Sequence, residues 1–258
     1  MFEWLTTGRA ILRSLRIYYG DRPRHHAMDA IYRRFLKEGD IAYDIGSHVG
    51  DRVASFLRVG AKVVAAEPQP PLARVLQFFY GRNPRVTLVR AAVGAKEGTL
   101  ELKLNTRNPT VATASDDFIK SADGAPGWEG QRWDRIISVP VTTLDKLIEA
   151  HGKPAFVKID VEGFEDEVLA GLTQPLPALS LEFTTIQRDV ALRAIKRLAG
   201  MATYSFNAAL GESQQFAHAN AISADAMAGW IEALPAEANS GDIYACLDAG
   251  ALASNPSS

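Results

Sequence analysis

The 258-residue chain is poor in cysteine and has no long apolar run. Cys246 is its only cysteine, so no disulfide can form within the chain, and no Cys/His spacing typical of a zinc site occurs. No segment approaches the roughly 18 consecutive apolar residues of a membrane-spanning helix. Arg9, Arg13 and Arg16 interrupt the first apolar stretch, which argues against a secretory signal peptide. We therefore expect a cytoplasmic protein.

Acidic and basic residues nearly balance, with a net charge of −2, but their distribution is uneven. Residues 1–37 carry a net charge of +5 and the remainder carries −7. An acidic body opposes the binding of nucleic-acid phosphates, so we expect no nucleic-acid partner. The basic N-terminal helix is expected to present a solvated face, and contact with a membrane surface is the less favoured alternative. The sequence indicates no oligomeric state.

Apolar runs alternate with amphipathic helices from residue 41 onward. Strands are predicted at 41–46, 62–66 and 86–93, with helices at 51–59 and 70–80 between them. Strands that alternate with helices form parallel sheets with right-handed crossovers, which place helices on both faces. Further strands are predicted at 99–104, 136–141, 155–161, 179–183, 203–209 and 242–247. The pattern predicts an α/β fold with a doubly wound, mostly parallel sheet.

The two ends of the chain do not share this alternation. Residues 1–39 are expected to form helices that pack on the core, the second of them over 27–37. Residues 40–248 then form the main domain. Residues 249–258 are small and polar, and are expected to form a flexible tail.

Two insertions interrupt the main domain. The segment 105–135 is rich in turn residues and contains Trp128 and Trp133, a composition that indicates a lid or a substrate-contacting excursion. The segment 211–240 is expected to lie on the substrate side and to contain a helix near its middle.

A glycine-containing loop follows the first predicted strand, with the sequence Asp44-Ile-Gly46-Ser-His48-Val-Gly50. Ligands of open α/β sheets bind at the carboxyl ends of strands, where the strand order reverses. Glu67 ends the second strand, 21 residues after Gly46. An acidic residue at about this distance accepts ribose hydroxyls in nucleoside sites. The loop therefore predicts a nucleoside cofactor.

The charges around this loop favour one nucleoside over another. A nicotinamide site normally has a further glycine in the middle of the loop, so that helix N–H groups can hold a pyrophosphate. Here Ser47 and His48 occupy that part of the loop. Asp44 would repel a pyrophosphate, whereas it would attract the ammonium and sulfonium groups of S-adenosylmethionine. We therefore predict S-adenosylmethionine as the cofactor.

A second motif ends a later strand and makes the chain similar to a known family. The motif is Lys158-Ile-Asp160-Val-Glu162-Gly163, with Thr-Leu-Asp145 upstream. Together with Glu67-Pro68 and the Ala91-Ala-Val-Gly segment, it resembles the FkbM family of class I methyltransferases over roughly residues 40–185.

The resemblance implies a seven-stranded, Rossmann-like class I methyltransferase sheet with a final antiparallel strand. It also implies methyl transfer from S-adenosylmethionine to a hydroxyl oxygen of a sugar, a lipid or a secondary metabolite. The expected partner is thus a small-molecule or glycan acceptor. Two alternatives stay open, namely a nicotinamide-dependent oxidoreductase and a non-catalytic nucleoside-binding protein on the same fold.

Asp160 is the first candidate for positioning the acceptor or removing its proton, because it ends a strand predicted to be central. Glu162 is the second catalytic candidate, and Lys158 could orient either carboxylate or neutralise an oxyanion. Glu182 ends another strand and could reach the same pocket. These carboxylates could bind magnesium, but without a visible ligand pattern no metal is predicted. The predicted cofactor-binding residues are Asp44, Gly46, Ser47, His48, Gly50, Glu67, Pro68, Ala91, Ala92 and Asp160.

Overall fold

The computed structural model describes residues 2–253, with side-chain surroundings from Gly8 onward. Within these residues the chain forms ten strands and nine α-helices. The strands are β1 (Ile41–Ile45), β2 (Lys62–Ala66), β3 (Val86–Val89), β4 (Ala92–Val93), β5 (Gly98–Leu104), β6 (Arg135–Thr142), β7 (Phe156–Ile159), β8 (Ala178–Thr184), β9 (Ser205–Leu210) and β10 (Ser240–Cys246). The helices are α1 (Phe2–Gly20), α2 (Arg22–Tyr32), α3 (Asp51–Arg58), α4 (Pro70–Tyr80), α5 (Asp116–Ala122), α6 (Leu144–His151), α7 (Glu165–Ala170), α8 (Arg188–Met201) and α9 (Ala224–Ala233).

Seven strands form one sheet in the order β3-β2-β1-β7-β8-β10-β9. Neighbouring strands are parallel except at β10, which runs antiparallel to both β8 and β9. The order reverses between β1 and β7, because the chain first builds outward from β1 through β2 and later returns to its other side. The prediction of a doubly wound, mostly parallel seven-stranded sheet with a final antiparallel strand is confirmed.

Helices cover both faces of this sheet because its central strands are apolar on both sides. Tyr43 and Ile45 of β1 belong to the apolar cluster formed with α6, α7, α8 and α9. Ala42 of β1 belongs to the cluster on the other face, formed with α2, α3 and α4. Full burial of a large apolar side chain contributes roughly 1.5–3 kcal/mol. These two layers hold the strand ends, and therefore the loops after them, in fixed positions.

The predicted strand 86–93 is two strands in different sheets. β3 pairs with β2 and ends at Val89, whereas β4 pairs with β6. β6 also pairs antiparallel with β5, so these three strands form a separate sheet in the order β4-β6-β5. The prediction of one continuous strand is wrong, because an apolar run indicates burial but not the hydrogen-bonding partner.

The insertion 105–135 contains a short 3₁₀ turn and α5. The side chain of Ser115 caps α5 by accepting a hydrogen bond from the backbone N–H of Phe118 at 3.0 Å. Phe118 is fully buried and lies edge-on to Trp128 and Trp133, with ring centroids 5.1 and 6.2 Å away. The two tryptophans thus build a small core of the insertion itself.

The segment 211–240 lies mostly away from the cleft described below. Its helix α9 buries Met227 and Ile231 in the same apolar cluster as α8. The apolar face of α9 thus packs against the sheet and α8, and the expected substrate-side position of the segment stays a prediction. Only the start of the segment, at Glu212, reaches the cleft.

The segments before and after the main domain also differ from expectation. α2 begins at Arg22 rather than near residue 27, because the side chain of Asp21 caps it by accepting from the N–H of Arg24 at 3.0 Å. The predicted flexible tail begins with a 3₁₀ turn in which Leu252 is fully buried, so that part of the prediction is wrong. Residues 254–258 of the predicted tail lie outside the described residues. Between residues 2 and 253, no helix has both the length and the apolar character needed to cross a bilayer.

Candidate active site

A cleft opens at the carboxyl ends of β1, β2 and β7, beside the reversal of strand order. It encloses about 1030 Å³ of space, counted out to its open mouth. The loops after these strands line its inner side, and the insertion together with α1 and α3 forms its walls. Pockets that hold cofactors and small substrates lie at this place in α/β folds.

The loop after β1 brings the backbone very close to the end of β7. Gly46 has a φ of +87°, and a Cβ added there would lie 1.8 Å from the backbone oxygen of Asp160. Only glycine fits this approach. Asp44 is 1% exposed, and its Oδ2 has no hydrogen-bond partner within the described chain although it is buried. Ser47 braces the turn by donating its hydroxyl to the Asp44 backbone oxygen at 2.8 Å.

His48 has a left-handed backbone, with a φ of +48°, at the place where nicotinamide sites have their middle glycine. Its N–H donates to Glu67 Oε2 at 2.9 Å, and its ring lies edge-on to Tyr18 at the cleft. Gly50, by contrast, does not line the cleft. A Cβ there would lie 2.7 Å from both Leu76 and Tyr80, so Gly50 allows the loop to pack on α4 and its predicted contact with the cofactor is not supported.

Glu67 anchors the opposite side of the loop. Its carboxylate accepts the N–H groups of His48 and Gln69, at 2.9 and 2.8 Å. Burial raises its pKa to about 8, and burial likewise raises the pKa of Asp44 to about 7. Two buried acids therefore face one end of the cleft. A cationic ligand, or one that donates hydroxyl hydrogen bonds, would stabilise their charged forms. Pro68, Ala91 and Ala92 line the cleft beside them.

Three carboxyl groups face the other end of the cleft. Ligand oxygens of Asp160, Glu162 and Glu182 lie within 4.8 Å of one another. Burial and the charge of Asp160 raise the pKa of both Glu162 and Glu182 well above the usual range. Burial would also raise the pKa of Asp160, but Lys158, a hydrogen bond with Glu182 and the charge of Arg52 together outweigh burial and lower that pKa. The cluster thus contains one acid whose pKa is lowered and two whose pKa values are raised.

Lys158 supports this cluster from behind. It is 1% exposed, and its Nζ lies 2.6 Å from Asp242 Oδ1 and 3.2 Å from Asp160 Oδ2. It does not line the cleft, so it can orient Asp160 but is not placed to neutralise an oxyanion on a substrate. Asp242 was not anticipated, because it lies 84 residues further along the chain and no local motif marks it.

The carboxyl cluster also has the ligand type that magnesium prefers. In the described residues these three acids form a group whose spacing could hold a cation. A cation would reduce the repulsion among these three acids. Protons on Glu162 and Glu182, which their raised pKa values favour, would reduce the same repulsion without a metal. That the site works without a metal stays a prediction.

A second charged network closes the wall of the cleft and was missed by sequence reasoning. Arg24 Nη2 lies 2.9 Å from both Asp51 Oδ2 and Glu212 Oε2, and Arg52 Nη1 lies 2.7 Å from the same Asp51 oxygen. The network ties α2, α3 and the segment after β9 together. Tyr18 of α1 lies against it, with Arg24 5.0 Å from its ring centre. The helical periodicity of α1 predicts which side of the helix is apolar. It does not predict that Tyr18 reaches the cleft.

The insertion reaches the cleft through its first residues. Thr113 donates its hydroxyl to the Glu162 backbone oxygen at 2.6 Å, and Gln69 Nε2 donates to the Pro109 backbone oxygen at 3.0 Å. Pro109 and Thr110 line the cleft. The segment therefore touches both the loop after β2 and the loop after β7.

The chain is similar to the hexuronic acid methyltransferase AglP of Haloferax volcanii, with 26% identity over 172 residues. The similar region covers 66% of this chain and 65% of that relative, so a third of the relative has no counterpart in it.

Two solved structures illustrate the structural similarity. An O-methyltransferase of Bacillus cereus in complex with SAH shares 10% identity, over 93% of this chain and 91% of the other, with a TM-score of 0.46. A precorrin-6y C5,15-methyltransferase of Geobacter metallireducens shares 16% identity, over 83% of each chain, with a TM-score of 0.42. At this level of similarity neither structure carries an inference about function.

The profile of the methyltransferase FkbM domain matches residues 44–214, which include the loop after β1, the insertion and the carboxyl cluster. The match confirms the resemblance inferred from the motifs. It also argues against the alternative of a nicotinamide-dependent oxidoreductase. The chain belongs to the FkbM methyltransferase family, which uses S-adenosylmethionine as its methyl donor.

Proposed function

We propose that this protein transfers a methyl group from S-adenosylmethionine to a hydroxyl oxygen of a sugar or a similar small acceptor. The observation that carries the proposal is the position of Asp160. Its backbone oxygen abuts Gly46 of the cofactor loop, while its side chain, 32% exposed, faces the carboxyl cluster. It therefore stands at the junction of the two ends of the cleft, where donor and acceptor must meet.

Residues at the first end of the cleft would hold the cofactor. Glu67 is placed to accept ribose hydroxyls, and Asp44 is placed to attract a cationic group, since its buried Oδ2 lacks a partner in the described chain. Pro68, Ala91 and Ala92 offer a flat apolar floor for a base. These features fit S-adenosylmethionine. When bound, it supplies an electrophilic methyl group that already carries its leaving group.

The carboxyl cluster would hold the acceptor and manage its proton. Asp160 is ionised, so it can accept a hydrogen bond from the acceptor hydroxyl and fix that oxygen in line. Its lowered pKa makes it a weak base, and the proton can pass to it only as part of a cluster that shares protons. Glu162 and Glu182, which hold protons, can donate hydrogen bonds to other oxygens of the acceptor.

The same cluster favours a hydroxyl over a carboxylate as the methyl acceptor. A carboxylate at this end of the cleft would face the ionised Asp160, and repulsion between these like charges would oppose its approach. The printed name of the relative, a hexuronic acid methyltransferase, supports a sugar as the acceptor class. On a uronic acid, we therefore expect methylation of a ring hydroxyl.

The experiment is a comparison of Asp160→Asn with wild type on a panel of hexuronic acid and neutral hexose glycosides. We expect S-adenosylhomocysteine binding to be retained and turnover to fall about 10²–10⁴-fold if Asp160 acts in proton transfer. If it only positions the acceptor, KM should rise with a smaller fall in kcat. Asp123→Asn, an exposed acid of the insertion, is the matched control. Wild-type kinetics in a stable Asp160→Asn variant would refute both roles.

A further inference from the structure

Helices α1 and α4 meet at one surface, beside the wall of the cleft. Tyr19 near the end of α1 donates to or accepts from Tyr80 of α4, with 2.7 Å between the hydroxyl oxygens, and stacks on Phe79 at 6.2 Å. Phe78 in turn lies edge-on to Phe79 at 5.3 Å. In α1, Leu12 and Tyr19 are seven residues apart and so share a helical stripe. Leu12 and the aromatic rings of Tyr19, Phe78 and Phe79 therefore form a patch on one side of the two helices, whereas Ile17 lies on the other flank of α1.

The patch exposes an unusual amount of apolar surface. Leu12, Phe78 and Phe79 are 59%, 83% and 51% exposed, and Ile17, on the other flank of α1, is 56% exposed. Among the described residues, seven large apolar side chains are strongly exposed, and these two helices carry four of them. Scattered exposed apolar residues need no explanation, but a cluster of this kind marks an interaction surface.

The chain segments that contain the patch carry charge of a single sign. Residues 8–20 and 68–90 together contain seven arginines and no acidic residue, while the rest of the chain has a net charge of −9. All seven arginine side chains are exposed, namely Arg9, Arg13, Arg16, Arg74, Arg82, Arg85 and Arg90. The partner of this surface must therefore be anionic, and it must also receive apolar side chains.

We propose that the α1–α4 patch docks on an anionic lipid surface, with the phenylalanines inserted at the headgroup level and the arginines on lipid phosphates. Aromatic and leucine side chains flanked by basic ones are the composition of peripheral membrane-binding surfaces. A single-stranded RNA would also meet arginines and aromatic rings. However, Leu12 and Ile17 offer no stacking face, and they gain free energy only by leaving water. Tyr18, next to Tyr19, lines the cleft, so docking brings the cleft close to the membrane.

The test is co-sedimentation of the full chain with vesicles of mixed phosphatidylcholine and phosphatidylglycerol, and with vesicles of phosphatidylcholine alone. We expect binding to the anionic vesicles, weakened by added salt. Because a basic residue near such a surface contributes about 1 kcal/mol, Arg9→Gln, Arg13→Gln and Arg16→Gln together should weaken binding at least about tenfold. Phe78→Ser with Phe79→Ser should lower it by at least about tenfold as well.

Matched controls separate this surface from general charge and apolarity. Ile136→Ser removes an apolar side chain that is 58% exposed elsewhere, and should leave binding unchanged. Arg132→Gln, Arg135→Gln and Lys153→Gln together remove the same charge from other exposed sites and should have a much smaller effect than the α1 triple variant.

Three outcomes would overturn the proposal: no sedimentation with anionic vesicles, equal loss in the control variants, or tighter binding to an oligouridine that the phenylalanine variant abolishes. A wild-type dimer that Phe78→Ser with Phe79→Ser converts to a monomer, without vesicle binding, would assign the patch to a second copy of the chain. S-adenosylhomocysteine binding, measured in parallel, reports on the cofactor site independently of this surface.

Discussion

Replacing Lys158 with methionine should destabilise the fold strongly, because it removes one partner of a buried ion pair. The side chain of Lys158 is 1% exposed and that of Asp242 is 7% exposed, with 2.6 Å between Nζ and Oδ1. Methionine nearly fills the same volume but leaves the Asp242 carboxylate between β8 and β9 without its cation. Breaking such a pair costs about 3–5 kcal/mol. Asp160 is one-third exposed and can regain water, so we assign none of this cost to it.

Urea unfolding followed by circular dichroism measures the effect. Adding Asp242→Asn to Lys158→Met should recover much of the loss, since it removes the unpaired charge as well. Lys153→Met, on the surface, should stay within about 0.5 kcal/mol of wild type. The reasoning is refuted if the free energy of unfolding of Lys158→Met lies within about 1 kcal/mol of the wild-type value, since an average substitution costs that much. It is also refuted if the double variant is less stable than Lys158→Met.

Three further predictions concern the cleft. Glu67→Gln should weaken S-adenosylhomocysteine binding, measured by calorimetry, by about 1.5–3 kcal/mol, which is the range for hydrogen bonds to a charged group. The control Glu149→Gln, at an exposed position, should leave binding unchanged. An unchanged Kd in Glu67→Gln would remove Glu67 from the site. Because Glu162 and Glu182 are proposed to donate hydrogen bonds to the acceptor in their protonated forms, turnover should fall as the pH rises through their raised pKa values; Glu182→Gln keeps a donor at every pH and should weaken that fall, and an unchanged profile counts against the cluster. Proteolysis within 105–135 should slow when cofactor and acceptor are bound, since the segment contacts both cleft loops; equal rates would argue against a lid.

The sheet and the proposed cofactor end of the cleft were predictable from local patterns. Apolar runs that end in Asp44, Glu67 and Asp160 mark strand ends, and parallel strands bring such ends to one edge. Even there the partner of a strand was not predictable, as the division of 86–93 shows, because burial periodicity carries no information on pairing.

The supporting residues of the site could not be predicted in the same way. Asp242 meets Lys158 across 84 residues of sequence, and Glu212 reaches Arg24 across 188. Such contacts depend on the tertiary arrangement of β10 and of the segment after β9, and no short motif encodes them. One local signal was available and unused, the Ser115 cap that begins α5 in the insertion.

The most direct test of the central claim is the identity of the methylated atom. The protein is incubated with S-adenosylmethionine carrying a ¹³C-labelled methyl group and with the hexuronic acid and neutral hexose glycosides, and the product is analysed by NMR. We predict a methyl ether on a sugar hydroxyl, formed in equal amount with S-adenosylhomocysteine and largely lost in Asp160→Asn. A methyl ester on the uronic acid carboxylate would contradict the role given to the carboxyl cluster. A methyl group on nitrogen or carbon would contradict O-methylation itself.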